Sequence, residues 1–441
     1  MSKNDESTSS KKTEQSESGE VTKAVIYTFM LLMIFTGAIN TISNKLMQSM
    51  ESLGKMYSHP WFITFNLFIS EFSMQIPYWI MEYQKKQKSK KESVFLREYE
   101  KPITTSEFTK KKPEIPILYM AIPAMFDVFA STIMTVGVSM MAGSVFQMLR
   151  GAVILFTALA SVLFLKRNLY RHHFCGMGIV ISGLVLVGLG ALVELNGKGA
   201  QTEMLGVILI VAGQVFTAGV FVSEEKLMSV YNCHPVKLVA FEGMWASLIY
   251  CILMIIFYYT PCPFENGSKY QAFICVNNGT EWKLEDIIFA FRQLGGNGWV
   301  LFNAILFTFS IAIFNYVGIS VTKYVSASAR SVLDTIRTVI VWLFFLLMPF
   351  VPDKSKEEFS YFQLAGFVFL IIGTCLYTEA VQIPWCGLDK FTQDNLKKLV
   401  EIAHQESETG GGSYDAIVVP ILPTKSDTER DQFIEAKIEK I

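Results

Sequence analysis

Two near-identical stretches place an arginine inside an apolar run. Ser144-Val145-Phe146-Gln147-Met148-Leu149-Arg150 and Ser331-Val332-Leu333-Asp334-Thr335-Ile336-Arg337 share Ser, Val and Arg at the same spacing, with a polar residue midway. A guanidinium offers several N–H donors in a planar fork that matches carboxylate or phosphate. At mid-membrane it costs ~2.5–3.5 kcal/mol on insertion scales, so it faces a polar interior rather than lipid. Asp334 lies three residues before Arg337, within reach on one helix face, and can neutralise it. Arg150 has Gln147 at the equivalent position and must find another acid, such as Asp127 or Glu71, or an anionic ligand. Glu242 and Asn315 also fall inside apolar windows. These residues suggest a polar cavity built from Glu71, Asp127, Gln147, Arg150, Asn315, Asp334 and Arg337. The bland alternative is that the charges pair with one another and only hold helices together.

Such residues need spanning helices to position them, and the composition agrees. Of 441 residues, 51% are hydrophobic and 17% charged, with a mean hydropathy of +0.36. That profile excludes an ordinary soluble enzyme, and a net charge of -1 excludes a strongly basic nucleic-acid binder. Roughly twenty apolar residues mark a spanning helix. Ten windows qualify: about 24–43, 61–81, 117–139, 142–165, 173–193, 204–223, 236–259, 299–321, 325–348 and 361–381. The expected fold is an all-α polytopic membrane protein of ten transmembrane helices. Residues 1–23 read as a disordered cytosolic tail without the apolar core of a signal peptide, and 387–441 as a cytosolic C-terminal tail.

Positive charge sets the orientation. The polar loop 82–116 carries ten Lys or Arg, and the short turn after the fourth window adds Lys166, Arg167 and Arg171. Both are assigned to the cytosol, together with the two termini. The loop 260–298 then faces the lumen, and it holds the glycosylation sequons at Asn266 and Asn278. Cys262 and Cys275 share this loop, where a disulfide and two separate thiols are both open.

The duplication extends beyond the arginines. Lys45-Leu46-Met47 at the end of the first window matches Lys226-Leu227-Met228 at the end of the sixth. His59-Pro60 matches His234-Pro235, and Phe126-Asp127 matches Phe314-Asn315. Gly176, Gly183 and Gly190 match Gly366, Gly373 and Ala380 at seven-residue spacing, a small-residue packing face. Residues 24–193 and 204–381 thus form two five-helix repeats. An odd number of helices inverts the second in the membrane. Lys45 and Lys226, with Glu225 beside the latter, become candidates for two opposed gates. Snorkelling of the lysines to the interface is the competing reading.

Enzyme signatures are missing: the sequence has no GxSxG, P-loop, HExxH or Rossmann fingerprint, and no cofactor is expected. His172-His173, beside Arg171, reads as a headgroup-facing cluster rather than a metal site.

The duplicated halves and the segment from Ser144 to Thr157 resemble the drug/metabolite transporter superfamily, and more narrowly the nucleotide-sugar-transporter-like F branch of solute carrier family 35. Ser70-Glu71-Phe72-Ser73, Glu224-Glu225-Lys226, Glu242-Gly243 and Phe314-Asn315-Tyr316 carry the resemblance further, over about residues 24–385. It implies alternating access around a central cavity, with both termini cytosolic and an intracellular membrane such as lysosome or Golgi as location. Tyr414-Asp415-Ala416-Ile417 fits a tyrosine-based sorting signal. The expected function is secondary-active transport of a small polar or anionic metabolite, in a bilayer, without nucleic acid; a homodimer is compatible with it. The rival is a non-transporting membrane adaptor or regulator acting through its tails.

Overall fold

The computed structural model describes residues 5–98, 113–347 and 361–379, apart from positions 142, 168, 196–203 and 232 and short breaks within 265–280. The described chain is helical except for two antiparallel hairpins of two-residue strands. Helix α1 is Asp5–Gln48, and its apolar stretch begins at Ala24. The hairpin β1 (Glu51–Ser52) and β2 (Lys55–Met56) follows. Next come α2 (Pro60–Phe72), α3 (Gln75–Glu98) and α4 (Ala121–Ser139), the last led in by a 3₁₀ turn at Ile117–Met120. The fourth window comprises α5 (Gly143–Leu149), a 3₁₀ turn Arg150–Ala152 and α6 (Val153–Leu165). Then follow α7 (Arg171–Leu195), α8 (Met204–Val230) and α9 (Pro235–Tyr259). The hairpin β3 (Val276–Asn277) and β4 (Trp282–Lys283) precedes α10 (Ile287–Gly296), α11 (Gly298–Tyr324), α12 (Ala327–Leu347) and α13 (Tyr361–Tyr377).

Seven helical stretches among the described residues are long and apolar enough to cross a membrane: the first and the third to eighth windows. The protein is therefore polytopic. The other three windows are helical too, but each departs from a plain apolar span. The ninth, α12, holds three charges, Arg330, Asp334 and Arg337. The tenth, α13, has 17 residues. The second is broken. α2 stops at Phe72, and Ser73 Oγ donates to Ser70 O at 2.6 Å. Pro77 has no N–H to donate to Ser73 O four residues back, so the ladder cannot run through. Beyond the break α3 continues to Glu98. The basic stretch from residue 82, expected to be a loop, is helical over 82–98, because its Gln, Lys and Glu residues favour helix.

Helix pairing interleaves the chain. α1 packs on α11 and α12, α4 on α8, α2 on α9 and α11, α6 on α8, and α4 on α9. α7 and α13 meet through bare backbone: a Cβ on Gly183 would lie 2.7 Å from Gly366 O, and one on Gly366 2.8 Å from Gly183 O. No side chain larger than hydrogen fits there without pushing the helices apart.

Polar contacts tie the segment before α2 to α10. His59 Nδ1 lies 2.7 Å from Glu285 Oε1 and its Nε2 2.8 Å from Gln293 Oε1. Phe62 N–H donates to Glu285 Oε2 at 3.0 Å, and Ser52 Oγ to Gln293 O at 2.6 Å, so β1 and α2 are tied to α10. Nearby, Cys262 and Cys275 form a disulfide with Cα atoms 5.8 Å apart, which resolves the alternative left by the sequence. The sequon residues Asn266 and Asn278, the tail after Glu379 and residues 99–112 lie outside the described part.

The chain divides into two compact units: Met1–Leu169 with Gly176–Thr374, and a small one of Tyr170–Cys175 with the chain from Cys375 on. The helix pairings above belong to the first.

Candidate functional site

A cavity of about 160 Å³ sits among the helices of the first unit. α1 supplies Asn40 and Asn44, α2 Glu71, α4 Asp127 and Ser131, and the 3₁₀ turn after α5 Arg150. α8 adds Glu224, α9 Glu242, α11 Asn315, and α12 Arg330, Asp334 and Arg337. Six of the seven expected cavity residues therefore meet in one space.

Arg150 sits where the fourth window tightens to 3₁₀, with Val153 N–H bonding back to Arg150 O. Short 3₁₀ stretches inside helices mark hinges or strain. The turn aims the guanidinium at α12, where Nη2 donates to Asp334 Oδ2 at 3.0 Å. Asp334 Oδ1 lies 2.8 Å from Arg337 Nε. One carboxylate thus answers two guanidinium groups. Arg337 is 1% exposed, donates through Nη1 to Gly37 O at 3.1 Å and lies over the Phe314 ring at 4.5 Å. Arg150 is more open: its side chain is 16% exposed and its Nε has no hydrogen-bond partner. The acid that the sequence left unassigned for Arg150 is Asp334, not Asp127 or Glu71.

A second part of the lining is acidic. Asn315 Nδ2 donates to Glu71 Oε1, and Ser131 Oγ to Asp127 Oδ1 at 2.8 Å. Glu224 pairs with Arg330, whose guanidinium lies 4.2 Å from the Phe221 ring centre. Glu242 lies beside them with Oε1 unpartnered. Five carboxyl groups and three guanidinium groups line the cavity. Arg330 escaped the sequence reading, although Arg330, Asp334 and Arg337 stand at i, i+4 and i+7, one stripe of a helix.

Gln147 falls elsewhere. It is 1% exposed, outside this lining, and borders a small adjoining space with Lys45. Gln147 lies three residues before Arg150 but within α5, whereas Arg150 opens the 3₁₀ turn. Of the gate residues, Lys45 is half-buried beside that space. Glu225 pairs with Arg167 and accepts from Ala327 N–H at 2.8 Å, an anion at the start of α12. Lys226 is exposed.

In the second unit, His172 is 2% exposed. The turn after α13 brings Glu379 Oε1 to 2.9 Å from its Nε2.

Comparison with known proteins decides the family. Solute carrier family 35 member F6 of Rattus norvegicus is 34% identical over 354 residues, covering 78% of this chain and 86% of that protein. The chain belongs to solute carrier family 35. The Homo sapiens member F6 is 33% identical over 388 residues, 86% of this chain and 94% of that one. Residues 99–280 also match the CRT-like, chloroquine-resistance transporter-like family. The protein is thus a relative of membrane transporters, and the resemblance read from its motifs holds.

Proposed function

We propose that the chain is a secondary-active carrier that moves a small polar metabolite through the central cavity by alternating access between two inverted five-helix repeats. The observation that carries this reading is the cavity itself, where α1, α2 and α4 of the first half meet α8, α9, α11 and α12 of the second around buried charge. Helix pairing supports the duplication. Exchanging the first window for the sixth, the second for the seventh, and so on converts the α1–α11 pair into α8–α4. The same exchange converts α1–α12 into α8–α6 and α2–α11 into α9–α4, and all of these pairs occur. The solute-carrier relatives favour transport over an adaptor role.

The charge balance bears on the cargo. An anion of nucleotide or nucleotide-sugar type would meet Arg150, but also an excess of carboxyl groups, five against three. Those carboxyl groups that stay ionised would repel an anion strongly in a low-dielectric cavity. A solute with a cationic group beside its anionic one matches both parts of the lining. Its anionic group would take Arg150 and its cationic group the side of Glu71 and Asp127. Tyr414-Asp415-Ala416-Ile417 favours an endosomal or lysosomal membrane with cytosolic termini.

The test is uptake into proteoliposomes of radiolabelled zwitterions, nucleotide sugars and dicarboxylates. We expect saturable uptake of the zwitterionic class, lost in Arg150→Ala protein that still folds by size-exclusion and thermal unfolding. Full transport by that variant removes Arg150 from the path, and preferential uptake of a nucleotide sugar overturns the charge argument.

A further inference from the structure

We propose that His172, His173 and Glu379 form a binding site for a divalent transition metal, Zn²⁺ first among them. The proposal concerns the small second unit and does not rest on the transport reading.

Three ligand-capable side chains from two distant segments converge there, with one ligand atom from each lying within 4.8 Å of the others. The His172 and His173 rings are 4.0 Å apart between centres. His172 is 2% exposed, yet neither of its ring nitrogens makes a hydrogen bond. Its Nε2 is 2.9 Å from Glu379 Oε1, close but not aligned as donor and acceptor. Buried polar groups are ordinarily satisfied. An imidazole and a carboxylate that approach without bonding each other are placed to share a third body.

The backbone reinforces the arrangement. Glu379 has φ +59°, a left-handed conformation that a residue with a side chain seldom adopts. Residues held in such regions concentrate at functional sites. Aromatic rings wall the cluster: Tyr170 stacks toward His172 at 6.1 Å, and Tyr377 meets His173 edge-on at 5.2 Å. His173 Nδ1 takes a long hydrogen bond of 3.3 Å from Tyr170 N–H, weak enough to yield to a metal.

Two imidazoles and one carboxylate suit Zn²⁺, with a fourth position left for water or a further ligand. Tetrahedral bonds of about 2.0–2.1 Å hold ligand atoms roughly 3.3–3.4 Å apart, so the 2.9 Å approach of His172 Nε2 to Glu379 Oε1 must open slightly on loading. Loading would clasp the first turn of α7 to the turn that follows α13. Sequence alone offered only the adjacent histidines, because the third member lies far along the chain.

The experiment uses the full chain in detergent, without a polyhistidine tag and stripped with EDTA. ZnCl₂ is titrated by calorimetry and CoCl₂ by visible absorption. We expect one Zn²⁺ per chain, a raised unfolding temperature on loading, and a tetrahedral Co²⁺ absorption band. Glu379→Gln should weaken binding by about tenfold or more, the scale on which even outer-shell partners matter. His172→Ala with His173→Ala should abolish it. Should that double variant misfold, the Co²⁺ spectrum of the Glu379→Gln protein decides, since exchange of the carboxylate for a weaker amide donor changes the band. Zn²⁺ bound no more tightly by wild type than by the double variant, or a Co²⁺ spectrum that Glu379→Gln leaves unchanged, overturns the site.

Discussion

Asp334 stands between two arginines, and each partner depends on it. Its carboxylate reaches Arg150 Nη2 at 3.0 Å and Arg337 Nε at 2.8 Å, with Asp334 and Arg337 each 1% exposed. Removing one member of a buried pair leaves an uncompensated charge, at about 3–5 kcal/mol. Asp334→Asn should therefore lower stability by about that amount, measured as thermal unfolding in detergent. Arg150→Gln should cost less, because its side chain is 16% exposed and keeps some solvation. Equal losses in the two variants would argue against a shared carboxylate. The Asp334–Arg337 pair was legible in the sequence, since three residues on a helix put both on one face. The Arg150–Asp334 pair was not, because its partners are 184 residues apart and only packing joins them. Arg330 was legible only through its i, i+4 and i+7 spacing with Asp334 and Arg337, because it lies outside the duplicated motif.

Among the helices, the start of α9 carries a titratable cap. His234 is its N-cap, and its Nδ1 accepts from Val236 N–H at 3.3 Å. Burial, then the nearby Lys323 charge, holds the imidazole below its usual pKa. The folded state thus binds fewer protons than the unfolded chain, and stability falls as pH drops through the unfolded value of about 6.5. Protonation would also remove the capping acceptor. We expect the unfolding temperature to decline as pH is lowered from about 7.5 through 6.5, and the decline to flatten in His234→Asn, which keeps a capping oxygen without titrating. An unchanged pH slope in that variant would refute the assignment. Helix positions were readable from apolar windows, whereas the break after Phe72 was not. Its cue is Pro77, which lies inside the second window.

For the whole molecule, ten crossings would return both termini to the same face of the membrane. Epitope tags at the two ends of the chain should be accessible together or protected together in sealed vesicles. A split result removes one crossing, and with it the inversion of the second repeat. The order of helices could be read along the chain, but their pairing could not, because each early helix finds its partner late. Arg337 donates to Gly37 O across 300 residues, and α1 packs on α11 and α12 rather than on its neighbours in sequence. That interleaving has a biosynthetic consequence. A ribosome adding about 5–20 residues per second needs roughly 15–60 s to deliver Arg337 after Gly37. Through that interval Gly37 O of α1, and Glu71 behind it, wait in the bilayer or its insertion machinery without Arg337 and Asn315. Assembly therefore has to wait until α11 and α12 are made, and this chain has a long window in which membrane chaperones and quality control can act on it.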